Sequence, residues 1–295
     1  MKKKYPLFIS FILIFSLLGY LLFSFFNHEK ALVSRVNELE SKISLLEAQQ
    51  IEYAKQLENE EAEKSQLQTD INDMILEMQL LKNQMVGVEY LNNGFNYLAI
   101  GNSITKHQIC SYWWDEIGMG ATSKDKDYVH LVEKYLLTKN DAVQIQAVNF
   151  SNWELQGFDR VETLFEIDSY LSSKLDLVTI QLSECVWETS TFKSDYIELI
   201  ELIKKKAPEA RIIMIDDFWD EGEKAEILRE VSSEEGVQFV DLSEIKNIKE
   251  YMCGLNTVVL DADGNEHVVT HEGVATHPGN LGMQYYADKI IDALE

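Results

Sequence analysis

The chain has 295 residues, 46% of them apolar, with 26 basic against 50 acidic side chains and a formal charge of −24. That balance excludes nucleic acid as the main partner, because phosphate binding needs clustered Lys and Arg, and the apolar content excludes a disordered chain. Three cysteines without a CxxC pair exclude a disulfide framework or a structural zinc site, and neither a metal nor an organic cofactor is expected.

Lys2, Lys3 and Lys4 form a basic tail over residues 1–6, ahead of an uncharged stretch at 7–26. At ~1.5 Å per residue that stretch spans about 30 Å, a bilayer core, and it exceeds the ~7–15 apolar residues of a cleaved signal peptide. The expectation is a single-pass anchor in the cell membrane, with the N-terminus cytoplasmic and the C-terminal domain extracellular. A 3-4 apolar spacing then runs from Val36 to Val88, interrupted at Gln50, Glu60 and Lys64. A period of 3.5 makes a seam too narrow for a lone helix to bury. Residues 27–88 are therefore expected to form a parallel coiled-coil stalk and a homo-oligomer, dimer or trimer.

After Gly87 short Val- and Ile-rich runs alternate with amphipathic stretches, setting off a globular domain over 89–295. Strands are predicted at 96–101, 144–150, 176–182, 210–216 and 237–241. Helices are predicted at 127–138, 159–172, 192–207, 222–235 and 282–294, with a hairpin at 257–270. This alternation implies an α/β fold with a parallel sheet covered on both faces, whose site lies beyond the carboxyl ends of the strands. Those ends carry Gly101-Asn102-Ser103, the segment from Asn149 to Glu154, Ser183-Glu184-Cys185, and Asp216 to Trp219.

Ser103, just past a glycine at a strand end, can expose its hydroxyl and backbone N–H together, as a nucleophile needs; the alternative is a helix N-cap. His277, in Thr276-His277-Pro278-Gly279-Asn280 before the last helix, is the candidate base. Cys110 and Cys185 read as small buried hydrophobes rather than reactive thiols. Trp113, Trp114, Trp153 and Trp187 could stack on a sugar ring or pack in the core. The adjacent acids Asp216 and Asp217 point in different directions and do not suggest a metal.

At Gly101-Asn102-Ser103-Ile104-Thr105 and His277-Pro278-Gly279-Asn280 with Gly282, residues 94–295 resemble the SGNH/GDSL hydrolase superfamily. The stretch Trp113-Trp114 through Gly118-Met119 and Asp127-Tyr128 is similar to a branch found in bacterial surface proteins. The resemblance implies a flavodoxin-like three-layer α/β/α sandwich, with Ser103 as nucleophile and His277 as general base. Such enzymes hydrolyse or transfer acyl groups. Two departures stand out. Val274 occupies the position of the usual Asp, leaving Glu272 as the nearest carboxylate to orient His277, with Glu154 and Glu184 as competitors. Cys185 stands where an oxyanion-hole Asn is usual, beside Asn102 among the site-lining residues; losing one such donor lowers kcat ~10²–10³-fold.

The reading that follows is a cell-surface serine esterase removing O-acetyl or other acyl groups from an extracellular polysaccharide or a small ester. The alternatives are an acyltransferase of the same fold acting on a surface glycan and a non-catalytic glycan-binding scaffold with a degenerate site.

Overall fold

The computed structural model describes residues 5–84, 87–220 and 222–295; the side chains at 5–14, 23, 31, 58, 62, 65, 69, 70, 72, 73 and 75–84 lie outside that description. The chain divides into two units, Met1–Gln84 and Met85–Glu295.

The first unit holds one helix, α1 (Tyr5–Gln84), 80 residues long. Its continuity follows from composition, since neither Gly nor Pro occurs between residues 20 and 84. The helix corrects two expectations. Among the described residues no helix is long and apolar enough to cross a membrane, which overturns the anchor at 7–26, the single-pass topology and the extracellular placement built on it. Residues 1–4 and the side chains at 7–14 and 23 lie outside the described residues.

The coiled-coil stalk and the homo-oligomer are overturned as well. Seam residues such as Val36, Leu39, Ile43, Leu46, Leu67 and Met74 all stand exposed on a lone helix. The side chains of Met78 and Leu81, and residue Met85, lie outside the description, and α1 ends at Gln84, before Val88. A 3.5-residue stripe specifies a helix with an apolar edge; it does not by itself supply a second strand.

The second unit runs β1 (Phe95–Gly101), α2 (Tyr128–Leu136), β2 (Val143–Asn149), α3 (Ser151–Leu155), α4 (Phe165–Asp168), β3 (Leu177–Gln181), α5 (Phe192–Lys206), β4 (Arg211–Ile215), α6 (Glu223–Glu235), β5 (Gln238–Val240), β6 (Val258–Leu260), β7 (Glu266–Val268), α7 (Glu272–Ala275) and α8 (Asn280–Leu294). The first five strands form one parallel sheet in the order β2-β1-β3-β4-β5, the flavodoxin-like order, with β6 and β7 as a separate antiparallel hairpin.

Alternating side chains split the core in two. Tyr97, Ala99, Ile213 and Ile215 face α2 and α8, where Val129, Val132, Tyr286 and Ile290 meet them. Leu98, Ile100, Val178, Ile180 and Met214 face α5 and α6 and pack on Leu199, Ile200, Ile203, Leu228 and Val231. The result is the expected three-layer α/β/α sandwich. Burial on both faces explains why the strands read as near-continuous apolar runs. Gly101, the last residue of β1, sits between Asn149 and Gln181, at the carboxyl ends of its two neighbours.

One predicted helix is broken. In place of 159–172 the chain makes a 3-10 segment, Gly157–Thr163, followed by the short α4. Asp159 leaves the helical region at φ −106°, ψ 21°, and the next residue turns its side chain inward. Arg160 is fully buried, donating to the Asp195 carboxylate at 3.1 Å and the Glu188 carbonyl at 2.5 Å, with its guanidinium over the rings of Trp153 and Phe192. That burial outweighs the local helical pattern. Removing one partner of a buried ion pair costs about 3–5 kcal/mol. Arg160→Ala is therefore expected to lower the free energy of unfolding by that amount in a urea titration, and a loss under ~1 kcal/mol would contradict the role assigned to this pair.

Candidate active site

Beyond β1 the chain turns sharply. A Cβ at Gly101 would collide with the Thr105 side chain and lie 2.8 Å from the Gln181 carbonyl oxygen, so only glycine fits there. Asn102 then folds the turn on itself: its Oδ1 accepts from the Ile104 amide at 3.0 Å, and its backbone carbonyl accepts from Thr105 at 3.1 Å and Lys106 at 3.0 Å. Ser103 occupies the apex. No helix begins at Ser103, the next helical segment starting at Lys124, so the N-cap alternative falls away.

The topology brings Ser103 and His277 together across 174 residues, with Ser103 Oγ 2.8 Å from His277 Nε2. The other ring nitrogen, Nδ1, lies 2.6 Å from the Gly273 carbonyl oxygen. A carbonyl only accepts, so Nδ1 carries the hydrogen and Nε2 presents the lone pair that receives the serine hydroxyl. The loop is anchored by the His277 amide on the Val274 carbonyl at 3.1 Å and by the Cys253 amide on the His277 carbonyl at 2.8 Å. Gly120, at φ +99°, packs so closely that a Cβ there would strike the Pro278 carbonyl and press on His277 Cβ. Trp219 sets its ring edge-on to the imidazole at 5.2 Å and donates from Nε1 to the Thr276 carbonyl at 3.1 Å.

Glu272 does not reach the imidazole. It opens α7, is exposed, and leaves the Nδ1 position to the backbone of the next residue. Val274, at the position of the usual Asp, is fully buried in the core. Nothing in the sequence singles out Gly273, because every residue carries a carbonyl.

Glu154 and Glu184 sit elsewhere, against Asn102. The Asn102 side-chain amide donates to Glu154 Oε1 at 3.2 Å and to Glu184 Oε2 at 2.7 Å. Glu154 Oε1 also accepts from the amides of Ser183 at 2.6 Å and Cys185 at 3.3 Å, while its Oε2 is buried without a partner among the described residues. Glu184 Oε1 accepts from the Phe218 amide at 3.1 Å. Burial pushes Glu154 up to about 7. Burial, then the charges of Asp217 and Glu154, pushes Glu184 well above the usual carboxylate range. Asp217 goes the other way: burial opposes ionisation, but the Lys224 ammonium at 2.9 Å and further hydrogen bonds hold it below its ordinary value. Asp216 pairs with the buried Lys246 at 2.8 Å.

Ser103 and Cys185 line one cavity of about 550 Å³, with Lys106, His107, Asn149 and Ser151. Cys185 is exposed rather than buried. Desolvation, then the charges of Glu154 and Glu184, pushes its thiol up to about 12, so it stays protonated. Its amide is taken by Glu154 and does not serve as an oxyanion donor. The Ser103 amide donates to no acceptor among the described residues and stands beside the Ser103 hydroxyl, free to donate to a group bound there.

A second, open groove of about 950 Å³ shares Lys106, Gln146 and Ala147 with the first cavity and follows edge strand β2 to the β6–β7 turn at Asp261 and Gly264. Charges of both signs line it, among them Lys124, Lys134, Asp115 and Asp125. Trp113 and Trp153 are core residues, whereas Trp114 stacks on His267 at 4.7 Å and Trp187 is exposed over Gly157. Near His277, Tyr112 stacks on His271 at 4.5 Å.

Burial lowers the His277 imidazole to about 4, assisted by the nearby charges of His107 and His271 and opposed by the Gly273 hydrogen bond. The ring is therefore neutral at pH 7. Below 6.5 the unfolded chain takes up a proton that the folded chain refuses, so this residue's contribution to stability falls as pH drops toward about 4. An NMR titration of the imidazole is expected to show its midpoint near 4; a midpoint at 6.5 would contradict the buried, neutral base.

No protein-family model matches the chain, and no curated protein matches it. Several solved structures are similar. A salicylyl-acyltransferase, SsfX3, from a tetracycline biosynthetic pathway is 13% identical with a TM-score of 0.42, covering 70% of this chain and 57% of its own. A two-domain esterase active on acetylated mannans is 15% identical with a TM-score of 0.45, covering 68% and 48%. Phospholipase A1 from Streptomyces albidoflavus NA297 is 14% identical with a TM-score of 0.44, covering 68% and 99%. The chain thus spans about half the length of the first two.

Proposed function

We propose that the second unit is a serine acyl hydrolase. The observation that carries this reading is the 2.8 Å contact between Ser103 Oγ and His277 Nε2, with Nδ1 held by the Gly273 carbonyl. Ser103 Oγ attacks an ester carbonyl carbon as its proton passes to Nε2. The carbonyl oxygen gains the negative charge and meets the Ser103 amide. Collapse breaks the C–O bond to the leaving alcohol, which takes the proton back from Nε2 and leaves an acyl-serine. Water, deprotonated by the same nitrogen, then releases the acid and regenerates Ser103.

Gly273 fixes the tautomer and the ring orientation but carries no charge to stabilise the imidazolium. Loss of a carboxylate from such a triad lowers kcat about 10⁴-fold, so slow turnover is expected. The substrate proposed is an O-acylated polysaccharide. Support comes from the open groove that continues from the Ser103 cavity along β2, whose charged side chains of both signs can hydrogen-bond the hydroxyls of an extended chain and would oppose a lipid tail. The same acyl-serine would serve acyl transfer if a sugar hydroxyl in that groove outcompeted water.

The test uses the full-length chain with a fluorophosphonate probe, read by intact mass. One adduct is expected, absent in Ser103→Ala and formed ~10²–10⁴-fold more slowly in His277→Ala. A folded chain that forms no adduct, or an adduct that survives Ser103→Ala, would overturn the assignment. Acetate release from an acetylated polysaccharide is the matching substrate assay, and activity confined to long-chain fatty esters would contradict the polysaccharide reading.

A further inference from the structure

Resting on the serine reading above, we propose that Trp187 is a stacking platform for a neutral pyranose ring of the same polymer on which Ser103 acts. Lys106, Gln146 and Ala147 line both the open groove and the Ser103 cavity, whereas Leu155 and Cys185 line the cavity alone. The groove thus opens at one wall, and Leu155 and Cys185 belong to another. Trp187 stands just outside that second wall, donating from Nε1 to the Leu155 carbonyl at 3.0 Å. A chain that runs along the groove and crosses Ser103 can continue over the indole.

Exposed apolar side chains are common, and one alone needs no explanation. Trp187 differs in being both exposed and fixed. It is 64% exposed, with Phe158 at 62% and Leu155 at 55% beside it, so burial does not supply the free energy that orders the ring. Its neighbours supply the order instead. Gly157, at φ +61°, passes so close to the six-membered ring that a Cβ there would lie 2.5 Å from Cζ2 and 3.0 Å from Cη2. Both the left-handed backbone and the close approach call for glycine. Phe158 meets the indole edge-on, with centroids 6.5 Å apart and planes at 87°. A ring that is ordered without being buried is preorganised for a contact from outside.

That contact is with a π face. With Nε1 committed to Leu155, the indole has no further donor, and the negative face of its ring system attracts the C–H bonds along one side of a pyranose. Phe158 and Leu155 extend the apolar floor. Charge narrows the choice of sugar. Asp159 follows Phe158 and Glu188 follows Trp187, while Arg160 is committed to the Asp195 carboxylate. An acidic sugar would meet like charge there, and a neutral one would not.

The experiment oxidises the full-length chain with N-bromosuccinimide, which attacks exposed indoles, and reads each tryptophan by peptide mass. The probes are partially O-acetylated disaccharides and longer oligomers of mannan, xylan and cello-glucan, with p-nitrophenyl octanoate as an acyl probe. Trp187 is expected to react readily in the free chain and to be protected by the longer oligomers of at least one of the three polymers. Affinity for that oligomer, read by titration calorimetry, is expected to fall about three- to tenfold in Trp187→Ala and by less in Trp187→Phe, which keeps a ring. Protection by none of the oligomers, protection by the octanoate ester alone, or equal affinity in Trp187→Ala would overturn the platform.

Fluorophosphonate labelling separates this result from a failure of the serine reading. A chain whose Ser103 labels but whose Trp187 is never protected keeps the nucleophile and loses the platform. A chain whose Trp187 is protected but whose Ser103 stays unlabelled keeps the platform as a sugar-binding site and loses the nucleophile.

Discussion

A buried knot of polar groups at the carboxyl edge of the sheet governs where the reactive side chains stand. Asn102 closes β1, Glu154 lies in the helix that follows β2, Ser183 and Cys185 follow β3, and Phe218 follows β4; hydrogen bonds to the two glutamates join all four. Apolar packing holds the layers together but cannot set a hydroxyl to within tenths of an ångström. A polar network in a low-dielectric interior can, because each unmade bond costs about 1–3 kcal/mol. The Ser103 turn inherits that precision through a single side chain.

His277 is held differently, by backbone. Gly273 takes the Nδ1 hydrogen, the loop hydrogen-bonds to Cys253, and Gly120 permits close approach from the other side. Val274 points into the core, so no carboxylate at that position could turn toward the imidazole without opening the packing between the last helix and the sheet. The candidate site thus pairs a serine with a histidine whose orienting partner is a neutral carbonyl. Its acidic residues lie against the Ser103 turn rather than behind the imidazole.

Much of this was legible in the residues. The five parallel strands are apolar nearly throughout because both faces are buried, and Ser103 and His277 stand out because each follows a turn at the expected edge. The sequence also marked Glu154 and Glu184 as strand-end acids, but not what they would touch: a position after a strand leaves open whether a side chain turns toward the histidine or the asparagine. Proximity along the chain points to Glu272 as the orienting carboxylate, yet the Gly273 carbonyl holds that place. The 159–172 helix failed because Arg160 is drawn to Asp195, a contact across 35 residues that local periodicity does not register. The anchor and the coiled coil failed for a related reason: an apolar stripe reports what a helix could bury, not what lies against it.

The most direct measurement is a crystal structure of the full-length chain after reaction with a small organophosphonate. Continuous density from phosphorus to Ser103 Oγ is expected, with the phosphoryl oxygen within hydrogen-bond reach of the Ser103 amide and Nδ1 of His277 still on the Gly273 carbonyl. An adduct on Cys185 or another side chain, or an untouched Ser103 in a crystal soaked to saturation, would contradict the assignment of Ser103 as the nucleophile.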